Sequence, residues 1–198
     1  MSRTKWRGGA MLAPVPPAIV SCASANGAQT NLITIAWTGI LSTVPPRTYI
    51  SVRPSRHSHK LITESGEFVI NLCTAPLARA ADFCGMYTGA KVDKLARLGL
   101  HAIPSEEVAC PSLAESPLSL ECRVFDVMHL GSHDMFLADI VAVTVDDSLI
   151  AENGKLRLDH ADLCAYAHGE YFSLGKRLGA FGFSAVKKKK KHSGKPAK

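Results

Sequence analysis

Between Arg53 and His59 the sequence places two arginines, two serines and two histidines in seven residues, RPSRHSH. Arg53 closes a β-type run, Thr48 to Val52, and Pro54 stops it, so Ser55 or Ser58 is placed to cap a helix running to about Ser65, with Gly66 as its stop. A helix N-terminus has free N–H groups, and flanking hydroxyls and guanidinium groups make it a ready site for phosphate. An ordinary surface helix start with solvated arginines has the same residues, and the pattern alone does not separate the two. Upstream, Asn31 and Thr34 in a polar stretch and Trp37 before the Pro45-Pro46 turn extend the segment Asn31 to Ile62. An anion site close to an indole points to an anionic, aromatic ligand, although an isolated Trp is by default a core residue.

Other chemistries lack their residues. There is no GxSxG nucleophile elbow and no GxxxxGK[ST] loop. His129, His133 and Asp134 straddle the Gly131-Ser132 turn, and their spacing would put two ligands on one face only in a helix, so metal binding is not expected. His57 and His59 read as phosphate-side or solvent donors. Gly175, Gly179 and Gly182 follow no strand and do not make GxGxxG. The six cysteines (Cys22, Cys73, Cys84, Cys110, Cys122, Cys164) form no CxxC pair and have no histidine at zinc-ligand spacing. They read as free core thiols in a reducing cytoplasm.

At 198 residues, 46% of them apolar and 20% charged, the chain has the composition of one soluble globular domain with an appended tail. The net charge of +6 is local: residues 187–198 hold seven lysines and no acid, and without them the charge is −1. A near-neutral body gives no basic face for specific nucleic-acid binding. The tail cannot bury apolar surface and reads as disordered. Arg3, Lys5 and Arg7 before an apolar run ending at Cys22 have the look of an export signal, but Pro14, Pro16 and Pro17 interrupt the run and a strand is preferred. No stretch reaches the roughly 20 apolar residues of a membrane helix, and the protein is expected to be cytoplasmic.

The elements that must position these residues are mostly strands. Ala18 to Ser24, Leu32 to Leu41, Thr48 to Val52 and Glu67 to Leu72 read as strands, and Leu118 to Leu130 with Asp134 to Val145 as a hairpin. Short helices are expected at Ser58 to Ser65, at Ala78 to Phe83 behind a Thr74 cap with Gly85 as its end, and at Val92 to Leu98 before Gly99. Strands at close spacing without regular helix alternation favour a barrel over a doubly wound sheet.

Several segments together resemble the flavin reductase-like family of FMN-binding split barrels, the group of flavoredoxins, ferric reductases and reductase components of two-component monooxygenases. They are NLITIAW (31–37), SVRPSR (51–56), GEFVINL (66–72), DFCG (82–85), VDK (92–94), LEC (120–122), GSHDMF (131–136), GEY (169–171) and GAFGFS (179–184). The resemblance spans Pro16 to Ser184, with 1–15 as an N-terminal lead and 185–198 as a lysine-rich tail outside it. It implies a mainly β, six-stranded Greek-key split β-barrel with short flanking helices, a homodimer, and FMN near the subunit interface.

By that resemblance Asn31, Thr34, Ile35, Ala36 and Trp37 line the flavin, and Ser51, Val52 and Arg53 follow the ring and ribityl chain. Arg56 and Ser58, with His59 beside them, sit at the phosphate. Thr88, Gly89 and Lys94 form a further wall, with Thr88 where the family often has Ser, and His133 approaches the nicotinamide. NADH or NADPH is the implied co-substrate, with an electron-acceptor protein or a flavin-using monooxygenase downstream. No protein acid or base is required, because hydride transfer is the cofactor's own chemistry.

Overall fold

A computed structural model describes residues 1–185 of the chain. The lysine-rich tail, from residue 186 on, lies outside the described residues. One seven-stranded sheet carries the molecule: β1 (Ala18–Ala23), β2 (Thr30–Ile35), β3 (Thr38–Thr43), β4 (Pro46–Val52), β5 (Glu67–Leu72) and the long hairpin β8 (Leu118–His129) and β9 (Asp134–Val145). Helix α1 (His57–Ser65) follows β4, and α2 (Ala78–Met86) and α3 (Lys94–Leu98) follow β5. Two small ribbons complete it, β6 (Ala102–Ile103) with β7 (Ser112–Leu113), and β10 (Cys164–Ala167) with β11 (Glu170–Ser173).

The sheet runs β2-β1-β5-β8-β9-β4-β3, each neighbouring pair antiparallel. Its two edge strands, β2 and β3, are consecutive in the chain and separated only by Ala36 and Trp37, so the sheet curls until its ends lie next to each other. Its inner face carries one core: Val20, Ile35, Ile50, Phe68, Cys122 and Phe136 from six strands, plugged by Leu61 and Ile62 of α1. Register shifts at Glu121/Cys122 and Val124/Asp126 bend the long hairpin, as bulges do.

Two buried polar side chains lock the wall opposite the plug. Asn71 donates through Nδ2 to the Ile19 carbonyl (2.9 Å), and its Oδ1 accepts from the Leu113 N–H (2.9 Å) and the Ser119 hydroxyl (2.8 Å). Glu121, fully buried, accepts the N–H groups of Glu106 and Glu107 at 3.0 and 2.7 Å. Glu121 thereby supplies acceptors to N–H groups of the loop 104–111, which has no strand partner of its own.

The expectation of six strands is corrected to seven in this sheet. The run Leu32 to Leu41 is not one strand but two, because Ala36 and Trp37 turn the chain from one sheet edge to the other. The helix after β4 starts at His57, and neither Ser55 nor Ser58 caps it: Arg56 is the N-cap residue, without a side-chain bond. Gly66 does end it, in the left-handed conformation (φ 71°) that a side chain rarely adopts. Gly85 lies inside α2, which continues to Met86, and Leu77 rather than Thr74 is its N-cap residue. The third helix begins at Lys94, where the Asp93 carboxylate caps the Ala96 N–H at 3.1 Å. The hairpin Leu118–Val145 and the strand Glu67–Leu72 fall where the sequence pattern puts them.

Candidate functional site

Where the split ends of the sheet meet α2, a cavity of about 370 Å³ opens. Thr34, Ile35, Ala36 and Trp37 form one wall, and Ser51, Val52 and Arg53 from the end of β4 form another. The β2–β4 wall exists because the chain reverses at Trp37, whose carbonyl accepts the Ser51 N–H at 2.9 Å. Trp37 itself is 38% exposed, so the indole is not a core residue. The Thr34 hydroxyl donates to the Ala81 carbonyl and thereby holds α2 against β2.

Across the cavity stand Asp82, Gly85 and Met86 of α2, and Tyr166, Gly169 and Tyr171 of the C-terminal ribbon. Tyr166 and Tyr171 meet edge to face at 5.2 Å. Burial pushes the Tyr171 phenol up to about 12, so it remains a neutral O–H at neutral pH. His133, from the β8–β9 turn, closes the rim, and burial together with the Arg53 guanidinium holds its pKa below the usual 6.5. The imidazole is therefore neutral at neutral pH.

A second pocket of about 170 Å³ shares Ile33, Arg53 and Arg56 with the first and continues from it. Ser55, His57 and Ser58 from the start of α1 line it, facing Asn31 of β2 and the segment Tyr87, Thr88 and Gly89. Asn31 Nδ2 donates to Ser58 Oγ at 2.7 Å. Gly89 packs so closely on that carboxamide that a Cβ there would overlap it. Lys94 is buried at the base, its Nζ donating to the carbonyls of Leu32 (2.5 Å) and Cys84 (2.9 Å). Burial draws its pKa down, the Cys84 thiol opposes this, and Arg56 adds to it.

Part of the polar lining of this second pocket lacks a partner. His57 Nε2 is buried with no hydrogen-bond partner among the described residues, and neither Arg53 nor Arg56 has a carboxylate within ion-pair distance there. Buried polar atoms are nearly always satisfied, so an orphan beside two free guanidinium groups and a helix N-terminus marks a place for an anion. Together the two pockets join a cavity lined by Trp37, Tyr166 and Met86 to a set of anion donors, Arg56, His57 and Ser58.

Of the residues expected from sequence, Thr34, Ile35, Ala36, Trp37, Ser51, Val52, Arg53 and His133 lie on the larger cavity, and Arg53 and Arg56 on both. Asn31, Ser58, Thr88, Gly89 and Lys94 gather at the smaller one, so Asn31 stands beside the anion donors rather than beside Trp37. His59 lines neither. It faces away from the pocket, its Nε2 bonding Asp134 Oδ2 at 2.7 Å, while His129 Nδ1 holds Asp134 Oδ1 at 2.8 Å. These two bonds hold the Asp134 carboxyl below its usual range. The sequence reading missed Tyr166, Tyr171, Asp82 and Met86 as lining residues. The GEY segment (169–171) was the one available signal for the ribbon, and nothing local says that it folds back over Trp37.

Comparisons with known proteins identify the fold and the family. The sequence pattern of the family described as Flavin reductase like domain matches residues 11–175. An uncharacterized protein of Archaeoglobus fulgidus is 32% identical over 143 residues, 72% of this chain and 80% of its own length. The flavoredoxin of Desulfovibrio vulgaris (Miyazaki F) superposes with a TM-score of 0.86 at 27% identity, covering 93% of this chain and 100% of its own. A flavoredoxin of Methanosarcina acetivorans shares the fold, with a TM-score of 0.83 at 23% identity over 94% of this chain and 100% of its own. With its orphaned anion donors beside an aromatic cleft, this chain belongs to the flavin reductase like domain family.

Proposed function

We propose that this protein is an FMN-binding oxidoreductase, a flavin reductase that passes hydride from NADH or NADPH to FMN and hands the electrons onward. The observation that carries the reading is the unsatisfied donor set of the smaller pocket, His57 Nε2 with Arg53 and Arg56, opening directly into the cavity walled by Trp37, Tyr166 and Tyr171. FMN, when bound, supplies an isoalloxazine N5 that accepts hydride from a nicotinamide C4.

The chain's own residues bind and orient. Arg56, His57 and Ser58 hold the phosphate, with Arg53 between phosphate and ring. Asn31 is fixed by Ser58, and Lys94 ties β2 to the end of α2 beneath the phosphate. Ser51 and Thr34 border the ring, and neutral His133 stands at the rim where a nicotinamide would enter. Trp37 and Met86, both exposed, leave that rim open to a second ring. A cytoplasmic setting suits the six free, buried thiols. We place the split-barrel domain at 16–184, with 1–15 as its lead. Exposed Ile40 and Leu41 on edge strand β3, with Val44 in the turn just after it, support a homodimer through this face, and analytical ultracentrifugation measures it.

Absorption near 450 nm in purified protein, and NAD(P)H oxidation dependent on added FMN, are the expected results. Protein that neither retains nor binds FMN overturns the reading. A second reading, an FMN electron carrier without a nicotinamide site, is favoured by the full-length similarity to a flavoredoxin. Anaerobic NADH or NADPH decides between them: bound flavin that bleaches supports the reductase, and bound flavin that stays yellow supports the carrier. If the protein is a reductase, its acceptor is a partner protein or a flavin-using monooxygenase.

A further inference from the structure

The start of helix α1 brings Arg56, His57 and Ser58 to the smaller pocket, yet little at that end of the helix fixes where they point. Arg56, the N-cap residue, makes no side-chain cap bond, and the first turn holds no acidic residue. Leu61 and Ile62 seat the later part of the helix in the core. Inside the pocket Ser58 accepts from Asn31, while His57 Nε2 meets no partner among the described residues.

A second hold on the first turn comes from outside the pocket. His59 lies two residues beyond His57, so the two side chains leave the helix roughly 200° apart. Its Nε2 meets Asp134 Oδ2 at 2.7 Å, with the two side chains 18% and 9% exposed, and its ring stands edge-on to the buried Phe136 at 5.2 Å. The Asp134 carboxylate only accepts, so the imidazole is the donor. Asp134 is itself fixed. It is the first residue of β9, its backbone is in register with Val52 of β4 on one side and His129 of β8 on the other, and its second oxygen takes His129 Nδ1 at 2.8 Å.

Val52 precedes Arg53, so the strand pair that carries Asp134 also carries the guanidinium that joins the two pockets. The His59–Asp134 bond therefore ties the rotation of α1 to the frame that places Arg53. Donors that must reach one phosphate together bind it more tightly when their directions are set beforehand, because less ordering is subtracted from the binding free energy.

We propose that Asp134, acting through His59, is a positioning residue of the anion site: it sets the rotation of the first turn of α1 and so aims His57 and Ser58 at the phosphate that Arg53 and Arg56 meet. Neither Asp134 nor His59 lines either pocket. This role rests on the reading of the smaller pocket as the flavin phosphate site.

The test is fluorescence titration of the full-length protein with FMN and with riboflavin, which lacks the phosphate, for the wild type, His59→Leu, His59→Gln and Asp134→Ala, each beside a melting curve. In His59→Leu and in Asp134→Ala, FMN affinity is expected to fall about five-fold or more while riboflavin affinity stays within about two-fold of wild type. His59→Gln, whose amide N–H replaces the imidazole donor, is expected to hold FMN within about two-fold of wild type. Equal losses for both flavins overturn the role, because a general loss of structure does not single out the phosphate. FMN affinity unchanged in His59→Leu, with only the melting temperature lowered, overturns it too, as does a His59→Gln no better than His59→Leu. Should His59→Leu fail to fold, Asp134→Ala against His59→Gln carries the same comparison. Wild-type protein that binds no FMN, or binds both flavins equally, sinks the phosphate reading itself, a result distinct from all of these.

Discussion

Arginines on the sheet and the loop beyond it are half-buried or exposed, and those at the cleft are exposed, yet the two groups are treated differently. Arg47 meets Asp139 at 2.8 Å and lies 4.3 Å over Phe125, Arg123 meets Glu67 at 3.4 Å, and Arg157 meets Asp159 at 3.0 Å. Arg53 and Arg56 meet no acid among the described residues. On the sheet the partners come from strand register: Arg47 is opposite Asp139, and Arg123 is opposite Glu67 and also Asp139. At the cleft the same device is withheld. Register sets Asp134 opposite Val52, one residue before Arg53, but both of its oxygens are taken by His59 and His129. Arg53 and Arg56 are left without a partner where they face the pocket, and there the missing partner carries more information than the charge itself.

That contrast can be broken most directly at Arg56. Its replacement by Ala is expected to weaken FMN binding by roughly 1.5 to 3 kcal/mol, the worth of a charge-assisted bond to phosphate, as read by titration. Unchanged affinity would make Arg56 one more solvated arginine.

Gly89 probes how tightly the donors are held. An added methyl overlaps the Asn31 carboxamide, which cannot yield without leaving Ser58, so Gly89→Ala is expected to cost about 1 to 3 kcal/mol in chemical denaturation. Gly85→Ala is the control: its new Cβ meets the Thr34 Cβ at 3.5 Å, an ordinary contact, and should be tolerated.

Acid tests the saturated carboxylate. The folded-state pKa of Asp134 is depressed below 3.8, so its contribution is complete above the unfolded value and is lost as pH falls through the folded one. Wild type should be more stable than Asp134→Asn at pH 7, and the gap in denaturation midpoints should narrow as pH falls below 3.8. A gap independent of pH would show that the two histidine bonds do not favour the ionised form.

Smallest of all should be Arg47→Ala, within about 1 kcal/mol of wild type in stability, as for exposed ion pairs, and without effect on FMN affinity. A large loss of flavin binding there would erase the distinction between the two groups of arginines.

Much of the fold was legible because its signals are local. The alternation in Leu118–Val145 around Gly131-Ser132, the apolar run Glu67–Leu72 and the glycines at 66 and 99 each act within a few residues. Leu32–Leu41 misled because Ala36 and Trp37 do not look like a turn; the break is imposed by the sheet, whose two edges must come together there. Ser58 misled in the same way. As a helix-start hydroxyl it reads as a cap, but it is buried and bonded to Asn31, 27 residues away.

The sequence by itself determined the donor types of the candidate site and the order of its segments, and its motifs carried the resemblance that the family match bears out. Which histidine is free was a tertiary decision: His57 and His59 are two residues apart on α1, and only the packing of that helix against β9 ties His59 to Asp134 and leaves His57 in the pocket. Tertiary structure likewise brought Tyr166 and Tyr171 over Trp37 and set Phe83 and Tyr87 on the far side of α2. The reason is geometric: a helix face and a folded-back ribbon acquire their neighbours from elements distant in the chain, and no pattern within either one names them.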